Sequence, residues 1–271
     1  MIERSCPELS FTNPNTRVLI SGAGNVAQYA ALKVIQLGAK VLSLSDSKGT
    51  LLPTTETGFT AAEIAKIGTL KLRGGALEEL YKADPNLYTY HAGKRPWTLV
   101  EQCDIALPCA TQNEVSGEEA EALIKNGARI VAEGSNMGCT LEAIEAFEAT
   151  RVKGGNNVTW YAPGSTYTFS PLLHIPICSY LFLSSIEASN CGGVAVSGLE
   201  MAQNSQRMTW TTSEVDAKLN GIMTECYKIC YDAGSKWSGA EGDVLPSLVA
   251  GANVAGFIKV ADAMREQGDW W

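Results

Sequence analysis

From residue 17 onward, short apolar runs alternate with longer segments of helical periodicity. Arg17–Ser21 predicts a buried strand, and the glycines after it predict a tight turn. Between residues 25 and 37, apolar side chains repeat at the spacing of one helical face: Val26, Tyr29, Ala30 and Val34. Lys40–Ser45 predicts a second strand. A strand, a helix and a strand in this order form a right-handed βαβ unit with parallel strands.

The same alternation continues along the chain. Further strands are predicted near Asp104–Pro108, Arg129–Ala132 and Val158–Tyr161, and helices begin after Thr60 and Ser116. Beyond residue 190 the pattern is helical. We therefore predict an α/β fold, with a Rossmann-like, doubly wound, mostly parallel sheet and a helical C-terminal region. The predicted boundaries are an irregular N-terminal segment (1–16), a dinucleotide-binding domain (17–195) and the helical region (196–271).

The composition favours some classes of protein and argues against others. Hydrophobic residues make up 45% of the 271 positions, which is enough for a packed core. The 29 acidic and 21 basic residues give a net charge of −8, which argues against nucleic-acid binding. The chain opens without a charged and apolar leader, so we expect a cytoplasmic protein that does not bind membranes. Eight cysteines and two histidines form no metal-binding spacing, so we expect reduced thiols and no metal.

A glycine pattern follows the first strand. Gly22-x-Gly24-x-x-Ala27 closes that strand and opens the first helix. The first glycine permits the turn, the second lets the backbone approach a pyrophosphate, and Ala27 allows close packing of the helix on the sheet. The phosphates would bind free N–H groups at the helix N-terminus, aided by the helix dipole. The pattern predicts a dinucleotide site.

The end of the second strand bears on the choice of cofactor. Asp46 stands where a carboxylate usually accepts the ribose 2′-hydroxyl of NAD. Ser47, Lys48 and Lys71 offer hydroxyl and ammonium donors, which suit the 2′-phosphate of NADP. Spacing alone leaves this choice open.

Seven ordered segments resemble the glutamate/leucine/phenylalanine/valine dehydrogenase family, in particular its NADP-dependent glutamate dehydrogenases from fungi and bacteria. The segments are Ser21–Gln28, Ser45–Ser47, Ile105–Glu114, Val131–Met137, Tyr161–Gly164, Asn190–Met201 and Gly251–Phe257. The resemblance covers about residues 16–268 with one interruption. It implies the reversible oxidative deamination of L-glutamate to 2-oxoglutarate and ammonia, with NADP as cofactor. It also implies a hexamer acting in nitrogen assimilation.

The resemblance implies a role for each of twelve positions. Those implied to hold the pyrophosphate are Gly22, Gly24, Asn25 and Val26. Those implied to face the adenosine ribose and its 2′-phosphate are Asp46, Ser47 and Lys71. Those implied to lie at the nicotinamide end are Thr111, Asn136 and Asn190. Those implied to contact glutamate are Val194 and Ser197.

The chain departs from the family in its extent. It resembles only the second half of family members, and the preceding substrate domain supplies their acid–base groups. No catalytic residue is therefore expected here, and we expect the isolated chain to bind NADPH weakly and to turn over negligibly. Two alternatives stay open, an inactive NADP-binding module and a related dehydrogenase acting on another amino acid. A hydroxyl at Ser197 favours glutamate, because it suits a side-chain carboxylate.

Residues 165–187 are a second departure. These 23 residues stand where the family has a single lysine, and they are mostly apolar with internal prolines. The codons AGT-ACG-TAT at the start and ATA-GAG at the end would supply intron borders whose removal restores a lysine codon. We therefore predict that the insert is a translated intron, and the alternative is a genuine lineage-specific loop.

Overall fold

A computed structural model describes residues 9–154, 158–166, 186–239 and 244–268. The chain divides into two compact units, Ile2–Tyr161 and Ala162–Trp271. The interior of residues 165–187, on which the intron hypothesis falls, lies outside the described residues.

A seven-stranded sheet runs through the described part of the first unit and ends at Ala162. Its strands are β1 (Arg17–Ile20), β2 (Lys40–Asp46), β3 (Gly49–Pro53), β4 (Tyr88–Ala92), β5 (Ile105–Leu107), β6 (Ile130–Ala132) and β7 (Trp160–Ala162). They lie side by side in the order β4-β3-β2-β1-β5-β6-β7. The pairs β1–β2, β1–β5 and β5–β6 are parallel, whereas β2–β3 and β3–β4 are antiparallel. The predicted doubly wound, mostly parallel sheet is confirmed.

Helices connect these strands and fill the second unit. Those of the first unit are α1 (Asn25–Leu37), α2 (Ala61–Leu72), α3 (Glu78–Ala83), α4 (Gly117–Lys125) and α5 (Leu141–Lys153), with a 3-10 turn at Pro96–Thr98. Those of the second unit are α6 (Gly192–Gln206), α7 (Thr212–Trp237) and α8 (Leu248–Gln267). Thr60 and Ser116 each cap a helix through a reciprocal bond with a glutamate, as their sequence context suggests.

One edge of the sheet is formed by two antiparallel strands that the sequence pattern did not reveal. Strands β3 and β4 form an antiparallel edge next to β2, joined to it by the turn Ser47–Lys48. Their residues are mixed in polarity and β3 ends at Pro53, so neither strand has the continuous apolar run that marks a buried parallel strand. Pairing of β3 with β2, and of β4 with β3, stabilises them.

The buried face of α1 also differs from the predicted one. Ala27, Ala31 and Val34 are buried, whereas Val26 and Tyr29 are 51% and 71% exposed. Small alanines face the sheet because they allow the helix axis to approach it closely. The prediction that Val26 and Tyr29 belong to the apolar packing face is therefore wrong, although the helix itself is present.

Where β1 meets β2, the strand register shifts between Val18 and Leu19. The Ser43 hydroxyl compensates at this irregularity, because it accepts a bond from Ile20 N–H and donates one to Ile20 C=O, both at 3.0 Å. Backbone groups that would otherwise be buried without partners are thereby satisfied. The carboxyl end of β1 is held in place at the point where the glycine turn begins.

In the second unit, α7 and α8 pack with their backbones in close contact. A Cβ added at Gly251 would overlap the carbonyl of Cys230, and one added at Gly234 would overlap that of Ser247.

Within the described residues, no helix has the length and apolar character needed to cross a membrane.

The two ends of the insert meet in the second unit. Ser165–Thr166 (β8) pairs antiparallel with Ile186–Glu187 (β9). Next to this pair, Ala188 N–H donates to Gly164 C=O at 3.2 Å, and Ser189 N–H donates to Pro163 C=O at 2.8 Å. The backbone therefore leaves and returns at one place, and Gly164 and Ala188 are hydrogen-bonded neighbours.

Candidate functional site

The strand order creates a crevice at the carboxyl ends of β1 and β5. After β1 the chain moves to β2 on one side, and it later returns to β5 on the other side of β1. The connections on the two sides diverge at such a reversal of strand order and leave room between the loops, which is where open α/β sheets bind ligands. The loops that start at Ser21 and Pro108 flank this point.

Gly22 forms the turn at the floor of the crevice. Its φ of +83° is a left-handed conformation, and an added Cβ would lie 2.8 Å from the carbonyl oxygen of Cys109. Gly22 N–H donates to the Ser45 hydroxyl at 2.9 Å, and Cys109 N–H donates to the Ser21 hydroxyl at 2.9 Å. Contacts within the protein itself thus require glycine at position 22, and they join the loop after β1 to strand β2 and to the loop after β5.

Gly24 differs from Gly22 in this respect. It is the N-cap of α1 with ordinary φ, and no described atom lies within 4 Å of a Cβ placed there. Gly24, Asn25 and Val26 are all exposed, and no described side chain caps the helix. The first turn of α1 therefore presents its N–H groups and the positive end of its dipole to the crevice. An anion can therefore approach the backbone N–H groups of this helix N-terminus, because no described side chain occupies the position.

Asp46 lies at the end of β2, and both of its carboxylate oxygens accept hydrogen bonds. Its Oδ2 atom accepts bonds from Lys71 Nζ at 2.6 Å and Leu77 N–H at 2.9 Å, and its Oδ1 atom accepts from Lys48 N–H at 3.0 Å. Burial alone would raise the pKa of Asp46, but the bonds from Lys71, Leu77 and Lys48 outweigh it and lower the pKa. The carboxylate is thus held ionised beside a compensating ammonium.

The turn after β2 is open to solvent. Ser47 and Lys48 are exposed, and Gly93 N–H donates to Lys48 C=O at 2.7 Å, which anchors the turn to the end of β4. A hydroxyl and an ammonium are therefore available next to the neutralised Asp46–Lys71 pair. This arrangement favours an anion over a neutral hydroxyl group.

A buried carboxylate holds the loop after β5. Glu114 is 4% exposed, and its Oε1 accepts a bond from Ala110 N–H at 2.9 Å. Burial raises the pKa of Glu114, although bonds from Ser21, Ala110 and Thr111 and the charge of Arg95 oppose this. Trp97, which is fully buried, donates from Nε1 to the Glu114 carbonyl at 3.2 Å. The exposed Thr111 therefore lies on a loop that is held in place by the hydrogen bond to the buried Glu114 carboxylate.

The loop after β6 closes over the same region. Gly134 N–H and Ser135 N–H donate to the carbonyl of Pro108 at 2.8 and 2.9 Å. A Cβ at Gly134 would meet Cys109 Sγ at 2.6 Å and Val26 Cγ1 at 3.3 Å, so this loop contacts both neighbouring loops. Asn136 follows it and is exposed. The structure thus gathers the loops after β1, β5 and β6 around one crevice.

The remaining predicted residues belong to the second unit. Asn190 lies in the turn that precedes α6, and Val194 and Ser197 lie on α6 itself. Val194 is 63% exposed and Ser197 is exposed, and none of the described residues of α6 is buried.

The sequence analysis assigned no role to four supporting residues. Ser21, Ser45 and Glu114 bond to backbone groups of the crevice loops, and Glu133 accepts from Cys139 N–H at 2.7 Å. Each is buried and polar. Polar residues directly beside apolar strands were the available signal, because a polar group is rarely buried without a partner.

A known protein family and several known proteins match nearly the whole chain. Residues 2–268 match the family described as Glutamate/Leucine/Phenylalanine/Valine dehydrogenase. The chain is 62% identical to the NADP-specific glutamate dehydrogenase of Agaricus bisporus, in an alignment covering 100% of this chain and 55% of that protein. It is 52% identical to the enzyme of the same name from Neurospora crassa, covering 94% and 51%. The chain thus spans about half the length of these relatives.

A solved structure shows the same fold. The glutamate dehydrogenase of Plasmodium falciparum superposes with a TM-score of 0.78 at 34% identity, covering 98% of this chain and 48% of that one.

Proposed function

This chain belongs to the Glutamate/Leucine/Phenylalanine/Valine dehydrogenase family, and we propose that it is the NADP-binding half of a glutamate dehydrogenase. The observation that carries the proposal is the pairing of an uncapped, glycine-opened helix N-terminus with an Asp46 carboxylate already neutralised by Lys71. The first feature suits the pyrophosphate of any dinucleotide. The second distinguishes NADP from NAD.

The pyrophosphate fits at the first turn of α1. Gly22 makes the turn, and Gly24 leaves a gap that a Cβ would enter. The exposed N–H groups of Asn25 and Val26 would donate to phosphate oxygens, and the helix dipole favours their negative charge. Burial raises the pKa of the neighbouring Cys109 thiol to about 12, so no thiolate would repel the anion at neutral pH.

The 2′-phosphate fits at the end of β2. Two like charges about 5 Å apart repel by about 3 kcal/mol at an effective dielectric constant of about 20, so a free carboxylate at Asp46 would exclude NADP. Lys71 cancels that charge, and Ser47 and Lys48 offer further donors. A ribose 2′-hydroxyl of NAD would gain less, because both oxygens of Asp46 already accept other hydrogen bonds.

The same proposal covers the reacting end of the cofactor. Thr111 and Asn136 would approach the nicotinamide ribose and carboxamide, and Asn190 would lie near the nicotinamide ring. Val194 and Ser197 would contact glutamate, with the Ser197 hydroxyl donating to the side-chain carboxylate. Support comes from the exposure of Thr111 and Asn136 on loops that buried groups hold in place.

For the whole protein, we propose reversible oxidative deamination of glutamate to 2-oxoglutarate and ammonia, in a cytoplasmic homo-oligomer. The oxidised cofactor, NADP+, would accept the hydride in the deamination direction, and NADPH would supply it in the amination direction. The relatives' additional length would supply the acid–base groups, because amination requires positioned proton donors and acceptors. On its own this chain would bind the cofactor with negligible turnover.

The test is a titration of the purified chain with NADPH and NADH, following nucleotide fluorescence. We expect NADPH to bind at least tenfold more tightly than NADH. Lys71→Ala should reduce that preference about tenfold or more, which corresponds to about 1.4 kcal/mol. Equal binding of both nucleotides, or of neither, would refute the proposal.

A matched control separates recognition from general charge loss. Lys82→Ala removes an exposed lysine that pairs with Glu78 within α3. It should leave the preference for NADPH unchanged. If both variants change the preference equally, long-range charge rather than the Asp46–Lys71 pair sets the specificity.

A further inference from the structure

Among the described cysteines, Cys191, Cys226 and Cys230 cluster in the second unit. Cys191 is the N-cap of α6, while Cys226 and Cys230 lie one helical turn apart on α7. Cys191 Sγ lies 4.0 Å from Cys226 Sγ and 3.4 Å from Met223 Sδ. Cys191 and Cys226 are half-buried, whereas Cys230 is buried. A soft, partly accessible sulfur cluster therefore joins two helices.

We propose that Cys191 and Cys226 form a reversible disulfide when the protein meets a peroxide. The two sulfurs need to approach by about 2 Å to reach the bond length of about 2.05 Å, which modest side-chain rotation can supply. Neither cysteine is joined in a disulfide in this structure. The cysteines stand on different helices, so the bond would tie the start of α6 to the middle of α7.

The chemistry proceeds in two balanced steps. The Cys191 thiol attacks hydrogen peroxide, its sulfur takes one oxygen to become a sulfenic acid, and one water leaves. The Cys226 sulfur then attacks the sulfur of that sulfenic acid, the S–S bond forms, and its hydroxyl departs as a second water with the Cys226 proton. Peroxide is the oxidant and is reduced by two electrons. A dithiol reductant reverses the reaction by exchange.

The three described thiols of the first unit are poorly placed for the same reaction. Cys103, Cys109 and Cys139 are buried in the first unit, and desolvation raises the pKa of each. Within the cluster, the bond with Cys191 lowers the pKa of Cys226, but the bond with Cys230 and burial outweigh it and raise the value to about 11. The closing step should therefore accelerate as pH rises.

The bond has a consequence for the segment around it. Cys191 directly follows Asn190 and lies one turn before Val194. Cross-linking to α7 would restrict the residues assigned to the nicotinamide and glutamate contacts, a consequence that rests on the proposed function. The disulfide itself does not depend on that function, so its detection and cofactor binding are separate measurements.

The experiment is disulfide mapping of the purified 271-residue chain after treatment with hydrogen peroxide at pH 8. Trypsin leaves Cys178 and Cys191 in one peptide because no lysine or arginine lies between Lys153 and Arg207, so chymotrypsin is added. Lys228 separates Cys226 from Cys230. We expect a dominant cross-linked peptide pair carrying Cys191 and Cys226, which disappears on reduction.

Three variants make the result decisive. Cys191→Ser and Cys226→Ser should each lower the yield of intramolecular disulfide at least tenfold. Cys230→Ser is the matched control and should leave the Cys191–Cys226 bond intact. A main product that pairs Cys226 with Cys230, or Cys191 with any other thiol, overturns the proposal, as does a chain that remains fully reduced.

Discussion

Ala110 N–H donates a 2.9 Å hydrogen bond to the buried carboxylate of Glu114, and this contact fixes the loop that presents Thr111 to the crevice. Glu114 is therefore a positioning residue, because it acts on the site through the backbone. Its negative charge is costly at this depth, which is why burial raises its pKa. The loop geometry needs the acceptor oxygen more than the charge.

Two substitutions at Glu114 should accordingly differ. Glu114→Ala removes the buried carboxylate that accepts from Ala110 N–H and should lower the free energy of unfolding by about 1–3 kcal/mol. Glu114→Gln keeps an acceptor oxygen and should lower it much less. Denaturant unfolding of both variants, with NADPH titration, measures the difference. Equal losses for both would show that the charge itself holds the loop.

The two glycines of the turn should respond differently to alanine. Gly24→Ala introduces a methyl group where no described atom lies within 4 Å, so the free energy of unfolding should fall by at most about 1 kcal/mol, because alanine is a poorer N-cap than glycine, while NADPH binding weakens at least tenfold. Gly22→Ala strains a positive φ at a cost of about 1–2 kcal/mol and also crowds Cys109. Thermal unfolding and fluorescence titration together separate these effects.

The control for Gly24→Ala is Gly221→Ala on α7, where an added Cβ also meets nothing within 4 Å among the described atoms. It should leave NADPH affinity unchanged. A loss of affinity there as large as at Gly24 would mean that the helix N-terminus is not the phosphate site.

Asp46 should contribute to the acid sensitivity of the fold. Its pKa is lowered in the folded chain, so the ionised form stabilises the fold above the ordinary value of 3.8. That contribution is lost as pH falls through the depressed folded-state pKa. Unfolding measured between pH 7 and pH 3 should show a steeper loss in the wild-type chain than in Asp46→Asn. Identical slopes would contradict the role of the Lys71 contact.

Removing the insert should raise the melting temperature of the chain and the yield of folded protein. Gly164 and Ala188 are already hydrogen-bonded across its base, so one lysine in place of residues 165–187 should close the gap without rearranging the flanking backbone. We expect a higher melting temperature and a higher yield of monodisperse protein, since an apolar segment is removed. A variant that fails to fold would show that the insert is structural. Independently, transcripts that read through the segment with no spliced form would rule out an intron.

The contact between α7 and α8 predicts a site of high sensitivity. Gly251→Ala would push a methyl group into the backbone of Cys230, because the helices touch there without side chains between them. The free energy of unfolding should fall by about 1–3 kcal/mol or more. Gly198→Ala on α6, where the added Cβ meets no described atom, serves as the control and should be neutral or slightly stabilising. Denaturant titration compares the two.

Several features of this protein follow from the sequence alone, because they are local. The apolar run of β1, the glycines after it and the helix beginning at Asn25 depend on neighbouring residues, so their pattern predicts the βαβ unit directly. The capping box at Ser116 is equally local, since its two bonds join residues three positions apart. Family resemblance added the proposed cofactor and the proposed reaction.

Other features depended on partners far along the chain. The β3–β4 edge is stabilised by pairing with β2, and the buried face of α1 was decided by how closely its alanines approach the sheet. Asp46 bonds to Lys71 and Leu77, which lie 25 and 31 residues away, and Ser21 bonds to Cys109, 88 residues away. Periodicity cannot report such pairs, because it records only which face a residue occupies. Only the folded chain shows that the acidic end of β2 is neutralised.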